Sequence, residues 1–479
     1  MDTDKPRYIT TTLPYVNAAP HVGFALEIVQ ADVLARYWRL LGHPVFFSTG
    51  TDEHGQKIAQ KADEAGKDRQ VYVDEYAATF GNLKDALNLS PDAFIRTSDK
   101  QHMRAAQELW RRCEAKGDIY KKSYSGLYCV GDEAFVKESD LVEGKCPNHP
   151  TQEPVLITEE NYFFRLSKYQ EQLQELLSDE SRTLPDWQRQ WALQFITSGL
   201  EDVSISRQID RMDWGVPVPG DDSQVMYVWF DALTNYISTL GWPEESGNFT
   251  RFWSEGETLQ IAGKDQPRFQ SILWQAMLMS ADIKTTDQIM YHGFINSDGQ
   301  KMSKSLGNVI SPYELVDRYG TDATRYILLR HVHPTEDSDL TWDKMDGYYT
   351  DNLVNGLGNL TSRIMKMAET NLDEPIVRPA AEDFPEAYVA ALKRCNFQAA
   401  SDVVWQLVGV LDEKITTTEP FKLVKTDKPA ALKIIAELAH DLYLIGRLLN
   451  PLLPAASQSI KEAVLTNQKP VNLFARLDS

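Results

Sequence analysis

Apolar and polar positions along the chain already divide it into elements. Residues 7–13, YITTTLP, are rich in Thr, branched and aromatic side chains and stop at a proline, which predicts a buried strand. Phe24, Ile28, Ala31, Ala35 and Trp38 then recur at the spacing of one helix face, and Gly42 closes the segment. A second strand-like run, PVFFST, leads into the loop GTDEHG. Strand, helix and strand within about fifty residues make a βαβ unit, so the N-terminal region is expected to be an α/β domain built on a Rossmann-type parallel sheet. Alternating helices are expected to continue to about residue 118.

Residues 119–160 change texture to short aromatic, charged and turn-rich pieces carrying two cysteines and a histidine, and read as an insertion. Helices and strands resume over 161–290, with DVSISR and WGVPVP marking tight turns. MYVWFDALTNYISTL and RFQSILWQAMLMSA read as strand or loop running into helices. After a linker at 291–344, residues 345–479 are almost wholly helical, broken at Pro375 to Pro385 and around Pro420, and predict a separate all-α helical bundle.

Composition narrows the class. A chain of 479 residues exceeds one ordinary core, so several domains are expected. It has no apolar run able to cross a bilayer, and the start MDTDKPRY lacks the apolar segment of a signal peptide. Four cysteines suit a reducing compartment, which predicts a cytoplasmic protein. The net charge of -20 argues against coating nucleic acid nonspecifically, although a local basic groove stays compatible with it.

Two constellations carry candidate chemistry. His21 and Gly23 stand where a helix begins after a strand, a place that offers unpaired N–H groups and the positive end of the helix dipole to a phosphate. Far downstream, GQKMSKSLGN follows the strand-like YHGFI and the turn Ser297-Asp298-Gly299. Lys301 and Lys304, three apart on a glycine-flanked loop with Ser303 and Ser305, can both reach a polyphosphate and close on a leaving pyrophosphate.

With these two signatures the chain resembles class I aminoacyl-tRNA synthetases, which carry HIGH near the start and KMSKS downstream. It is more closely similar to the methionyl-tRNA synthetase family. LPYVNAAPH, STGTDEHG, GLYCVGDEAF to CPNHP, DVSISR, DWGVPVP, YVWFDALTNY, GKD, KMSKSLGN and GNLTSR match in order.

The resemblance implies attack of the methionine carboxylate on the α-phosphorus of ATP, with Mg2+ on the phosphates, and then transfer of methionine to tRNA(Met). It implies His21, Lys301 and Lys304 as catalytic, with ATP held by these and by Gly23, Gly263, Asp265 and His292. Asp52 is implied for the α-ammonium, braced by Arg207. Leu13, Tyr15, Trp229, Ala232, Leu233, Tyr236, Phe269 and Gln270 are implied for the side-chain pocket, whose rings suit a thioether. Taken singly, Trp229 and Phe269 read equally as ordinary core. Asn359 and Arg363, four apart on one helix face, together with Phe421, are implied for the anticodon. Residues 291–344 become the stem-contact linker, and the absence of an appended C-terminal domain predicts a monomer.

Several positions depart from the family pattern. Phe24 replaces the second histidine of HIGH, and a phenyl ring cannot donate to a phosphate. Gln270 replaces a histidine of the pocket, and Gln266-Pro267 replaces an apolar pair. In the insertion, Cys129, Asp132, Cys146 and His149 have the spacing of a single zinc knuckle, with Asp132 in place of a cysteine. Two states stand open for it: one structural Zn2+, or a metal-free knuckle packed by Tyr128 and Phe135. These departures leave two competing readings, a synthetase-derived enzyme with another amino acid or acceptor, and a noncatalytic tRNA-binding protein.

Phe24→His tests the altered signature. It is expected to leave methionine affinity nearly unchanged and to raise the rate of pre-steady-state adenylate formation. An unchanged or lower rate means that the site has been rebuilt around the phenyl ring.

Overall fold

The computed structural model describes residues 4–130, 134–147, 153–245, 247–302, 307–379 and 383–477. By packing, the chain forms two compact units. The first comprises residues 1–19, 43–82 and 91–291, and the second residues 20–42, 83–90 and 292–479.

The first unit holds a six-stranded sheet in the order Ala93–Arg96, Val45–Thr51, Arg7–Thr11, Glu257–Gly263, Gln288–His292, Thr183–Leu184. Arg7–Thr11 runs parallel to both neighbours, with Tyr8 opposite Phe46 on one side and Thr258 on the other. The chain fills one side of Arg7–Thr11 first and then returns to its other side with Glu257–Gly263. This reversal is a topological switch point, the place where α/β sheets bind ligands beyond their strand C-termini. Beneath lies an aromatic core in which Trp110, Phe164, Phe230, Trp242, Trp253 and Trp274 are buried.

The insertion is an antiparallel sheet in which the long strands Ile119–Cys129 and Val155–Phe164 pair from Ile119 opposite Phe164 to Tyr128 opposite Val155. DVSISR is not a turn. It forms the short strands Val203–Ser204 and Ser206–Gln208, too brief to show a period in sequence. Pro217–Val218 within WGVPVP is likewise a strand, and the edge strand Ala93–Arg96 was not expected at all.

In the second unit the helix Val22–Leu40 spans the predicted range and ends before Gly42, whose φ is +92°. This helix packs with the C-terminal helices around a fully buried charge pair. Asp32 Oδ2 lies 2.8 Å from Arg325 of the helix Thr321–Arg330. Arg325 also donates to the carbonyls of Leu87, Pro451 and Leu452, and Asp32 accepts from Arg36 and Ser90. Burial opposes ionisation of Asp32, but Arg325 and Arg36 hold its carboxyl below the usual range. Removing either charge would strand the other, a loss on the order of 3–5 kcal/mol.

Beyond residue 345 the chain is helical as expected, with long helices Phe397–Thr418 and Lys428–Leu449. Pro420 does not merely interrupt. It opens the short helix Pro420–Leu423, where its missing N–H costs nothing. No helix among the described residues is long and apolar enough to cross a membrane.

Candidate active site

In the first unit the loops that leave the two central strands are laced together. Thr12 N–H bonds Ile261 carbonyl at 3.2 Å, Asp52 N–H bonds Pro14 carbonyl at 3.0 Å, and Val16 N–H bonds Asp52 carbonyl at 3.1 Å. Tyr15 and Asp52 therefore face each other as a parallel bridge. Leu13 and Tyr15 follow one strand, Asp52 another, and Gly263 and Asp265 a third, so sheet topology gathers these five at the switch point. Asp52 is buried, with Thr97 Oγ1 3.5 Å from its Oδ1.

The side chains expected to form the pocket come from two further segments. The helix Val228–Leu233 carries Trp229, Ala232 and Leu233, and Tyr236 follows on Asn235–Ser238. Phe269 and Gln270 sit on Arg268–Leu273, a stretch of wider π turns. Such turns often mark functional sites, and they leave no signature in sequence periodicity. Trp229 and Phe269 stack with centroids 3.7 Å apart and planes within 7°. Gln270 is buried, and its Nε2 donates to the Tyr236 hydroxyl at 2.7 Å. The Gln270 Oε1 atom is buried with no hydrogen-bond partner among the described residues. Arg207, expected beside Asp52, donates to Ser204 Oγ and the Ser206 carbonyl and lies over the Tyr227 and Tyr128 rings.

The second unit carries the candidate phosphate groups. His21 is the N-cap of Val22–Leu40, and its Nδ1 accepts from Gly23 N–H at 3.1 Å. A Cβ on Gly23 would stand 2.9 Å from the His21 ring, so the glycine makes room for this cap. Because Nδ1 accepts, the neutral ring carries its proton on Nε2. Loss of water around the ring, which keeps one exposed face, and the nearby charge of His292 hold the His21 pKa below the ordinary imidazole value. His21 thus presents an Nε2–H that has no partner among the described residues.

His292 is buried, with Nε2 2.9 Å from Glu27 Oε2 and Nδ1 2.8 Å from the Gly293 carbonyl. The Gly293 carbonyl can only accept, so Nδ1 carries a proton, and Nε2 shares a buried hydrogen bond with Glu27. Both ring nitrogens are thus engaged inside the protein. Lys301 ends the strand Gln300–Lys301, and Met302 Sδ lies 3.5 Å from Ile310 N. Lys304 lies outside the described residues.

Asn359 is exposed and opens the helix Asn359–Asn371; Arg363, one turn on, pairs with Asp412. Phe421 is 49% exposed, with Lys422 Nζ 5.9 Å from its ring centroid. In the insertion, the Cys129 and Cys146 side chains are buried. Asp132 and His149 fall outside the described residues, and no group of three candidate ligands occurs within them.

The family profile described as tRNA synthetases class I (M) matches residues 7–154 and 150–365. The methionine–tRNA ligase of Brucella suis is 37% identical over 471 residues, covering 95% of this chain and 90% of that protein. The chain belongs to the methionyl class I tRNA synthetases. The Mycobacterium bovis methionine–tRNA ligase is 39% identical over 492 residues, covering 97% and 93%. Among solved structures, Mycobacterium tuberculosis methionyl-tRNA synthetase in complex with methionyl-adenylate matches with TM-score 0.87 and 36% identity, over 95% and 93% of the two chains. Its apo form matches with TM-score 0.82 and 31% identity, over 99% of each.

The synthetase also holds polar groups that the sequence reading passed over. Glu27, the partner of His292, is one. The others are His54, His102 and Asp231, which meet in the core. Asp231 had a signal: it is the lone charge in the otherwise apolar helix VWFDAL. Burial opposes its ionisation, but His54 and His102 outweigh this and bring its pKa down to about 2.

Gln270→Leu removes the N–H that the buried Tyr236 hydroxyl accepts, a loss of about 1–3 kcal/mol. The methionine KM in ATP–pyrophosphate exchange is expected to rise by roughly tenfold, as that energy implies, with the ATP KM unchanged. Equal KM values in the two proteins contradict the placement of this hydrogen bond at the pocket.

Proposed function

We propose that this synthetase, as a methionine–tRNA ligase, reads its amino acid at the switch point of the first unit and its phosphates with His21 and the KMSKS lysines. One observation carries the reading. The sheet order gathers Leu13, Tyr15, Asp52, Gly263 and Asp265 at the C-terminal strand ends, where an α/β sheet accepts ligands.

In this reading Asp52 pairs with the α-ammonium, and the stacked Trp229 and Phe269 with Ala232, Leu233, Tyr236 and Gln270 enclose the thioether. Sulfur packs favourably against rings, and the Gln270 bond turns the Tyr236 hydroxyl proton away from itself. Asp265 accepts from the ribose hydroxyls beside Gly263. ATP enters with Mg2+ on its phosphates. A methionine carboxylate oxygen attacks the α-phosphorus, the bond to pyrophosphate breaks, and positioning with charge stabilisation does the work. His21 donates Nε2–H to a phosphate oxygen, His292 lies nearby at the ATP site, and Lys301 and Lys304 neutralise the departing pyrophosphate. Methionine then passes to the terminal ribose of tRNA(Met), whose anticodon is read by Asn359, Arg363 and stacking on the exposed Phe421.

Residues 119–160 serve as the knuckle insertion, 291–344 as the stem-contact linker and 345–479 as the anticodon domain of a cytoplasmic monomer. Two buried thiols, an imidazole and a carboxylate make a donor set that fits zinc. Cys129, Asp132, Cys146 and His149 are accordingly assigned to one structural Zn2+, which would cross-link the insertion.

Amino-acid-dependent ATP–pyrophosphate exchange with a panel of amino acids, followed by charging of tRNA(Met), tests the reading. Exchange with methionine and no other amino acid, together with charging of tRNA(Met), is expected. A preference for another amino acid, or no exchange at all, overturns it.

A further inference from the structure

The loop that carries Asp52 is fastened at the two residues that follow it. Glu53 is buried, its carboxylate taking Arg96 Nε and Nη2 at 2.7 and 2.9 Å, and its carbonyl accepts from Trp214 Nε1 at 2.6 Å. His54 turns inward, with Nδ1 2.6 Å from Asp231 Oδ2. The other carboxylate oxygen, Oδ1, lies 2.7 Å from His102 Nε2, and His102 Nδ1 is 2.9 Å from Ser238 Oγ. Asp231 and His102 have no exposed surface, and His54 is only 4% exposed.

The chemistry of this triad is one-directional. An ionised carboxylate only accepts, so His54 presents Nδ1–H and His102 presents Nε2–H to it. Charge-assisted bonds of this kind are short and strong, and a low dielectric strengthens them further. What they join matters more than their energy. His54 is two residues from Asp52, whereas Asp231 lies between Trp229 and Ala232 on the pocket helix, and Ser238 is two residues beyond Tyr236.

We propose that His54, Asp231 and His102 are positioning residues for amino-acid activation, a buried clasp that sets the Asp52 carboxylate at a fixed distance from the side-chain pocket. It rests on the reading above that Asp52 takes the ammonium. One carboxylate thereby couples recognition of the two ends of the amino acid, so that a ligand with the right side chain is bound tightly only when its ammonium falls on Asp52. None of the three residues touches the substrate. Their effect passes through Asp52 and the Val228–Leu233 helix.

Exchange kinetics on the full chain test this, with methionine varied at saturating ATP and ATP varied at saturating methionine. D231N and H54A are expected to raise the methionine KM by about tenfold or more, since small misplacements of a binding group have effects of that order. The ATP KM stays within about twofold, the signature of lost amino-acid binding alone. H54N supplies an amide N–H where Nδ1–H stood and returns the methionine KM to within about threefold of wild type. Should D231N not fold, the H54A and H54N pair decides by itself. Equal rises in both KM values, or H54N as impaired as H54A, overturn the clasp while the functional reading stands. Wild-type protein without methionine-dependent exchange overturns that reading and the clasp with it.

Discussion

A carboxylate placed in an aromatic core loses several kcal/mol of hydration unless it is paired and hydrogen-bonded. Asp231, with no exposed surface, meets that condition through His54 and His102. Both of its oxygens are occupied by ring N–H groups, and each imidazole belongs to a different element. The constraint therefore spreads: the loop after the Val45–Thr51 strand, the helix Lys100–Ala115 and the pocket helix Val228–Leu233 are all tied to one carboxylate. Within the first unit, the groups assigned to the ammonium and to the thioether inherit their relative placement from it.

The phosphate side in the second unit uses the same economy with different chemistry. His21 caps its own helix through Nδ1, and this fixes the proton on Nε2. Gly23 serves that cap, because a Cβ would collide with the ring. The motif's glycine is thus explained by an intramolecular contact as much as by access for a phosphate. His292 and Glu27 form a buried pair on the same unit, and the charge of His292 bears on the His21 ring.

Much of this was legible in the sequence, and what was not has identifiable physical causes. The Val22–Leu40 helix follows from its hydrophobic period and closing glycine, and the Arg7–Thr11 and Val45–Thr51 strands from runs of branched and aromatic residues. The strands of DVSISR and the Ala93–Arg96 edge strand are two to four residues long and show no period. The π turns that carry Phe269 and Gln270 arise from packing, which local propensity does not encode. Among the candidate site residues, Asp52 is reached through a matching motif and Gln270 through a departure from one. His54, His102 and Asp231 were missed because their significance lies in a contact between positions 129 and 177 residues apart.

The central claim is that this fold activates methionine as its adenylate. The most direct measurement omits tRNA: the chain is incubated with methionine, ATP and Mg2+, passed through gel filtration, and the retained nucleotide is identified by mass spectrometry. Bound methionyl-adenylate is expected, with an equal amount of pyrophosphate released. Retention of the adenylate of another amino acid when all are offered together, or of unreacted ATP alone, would contradict it.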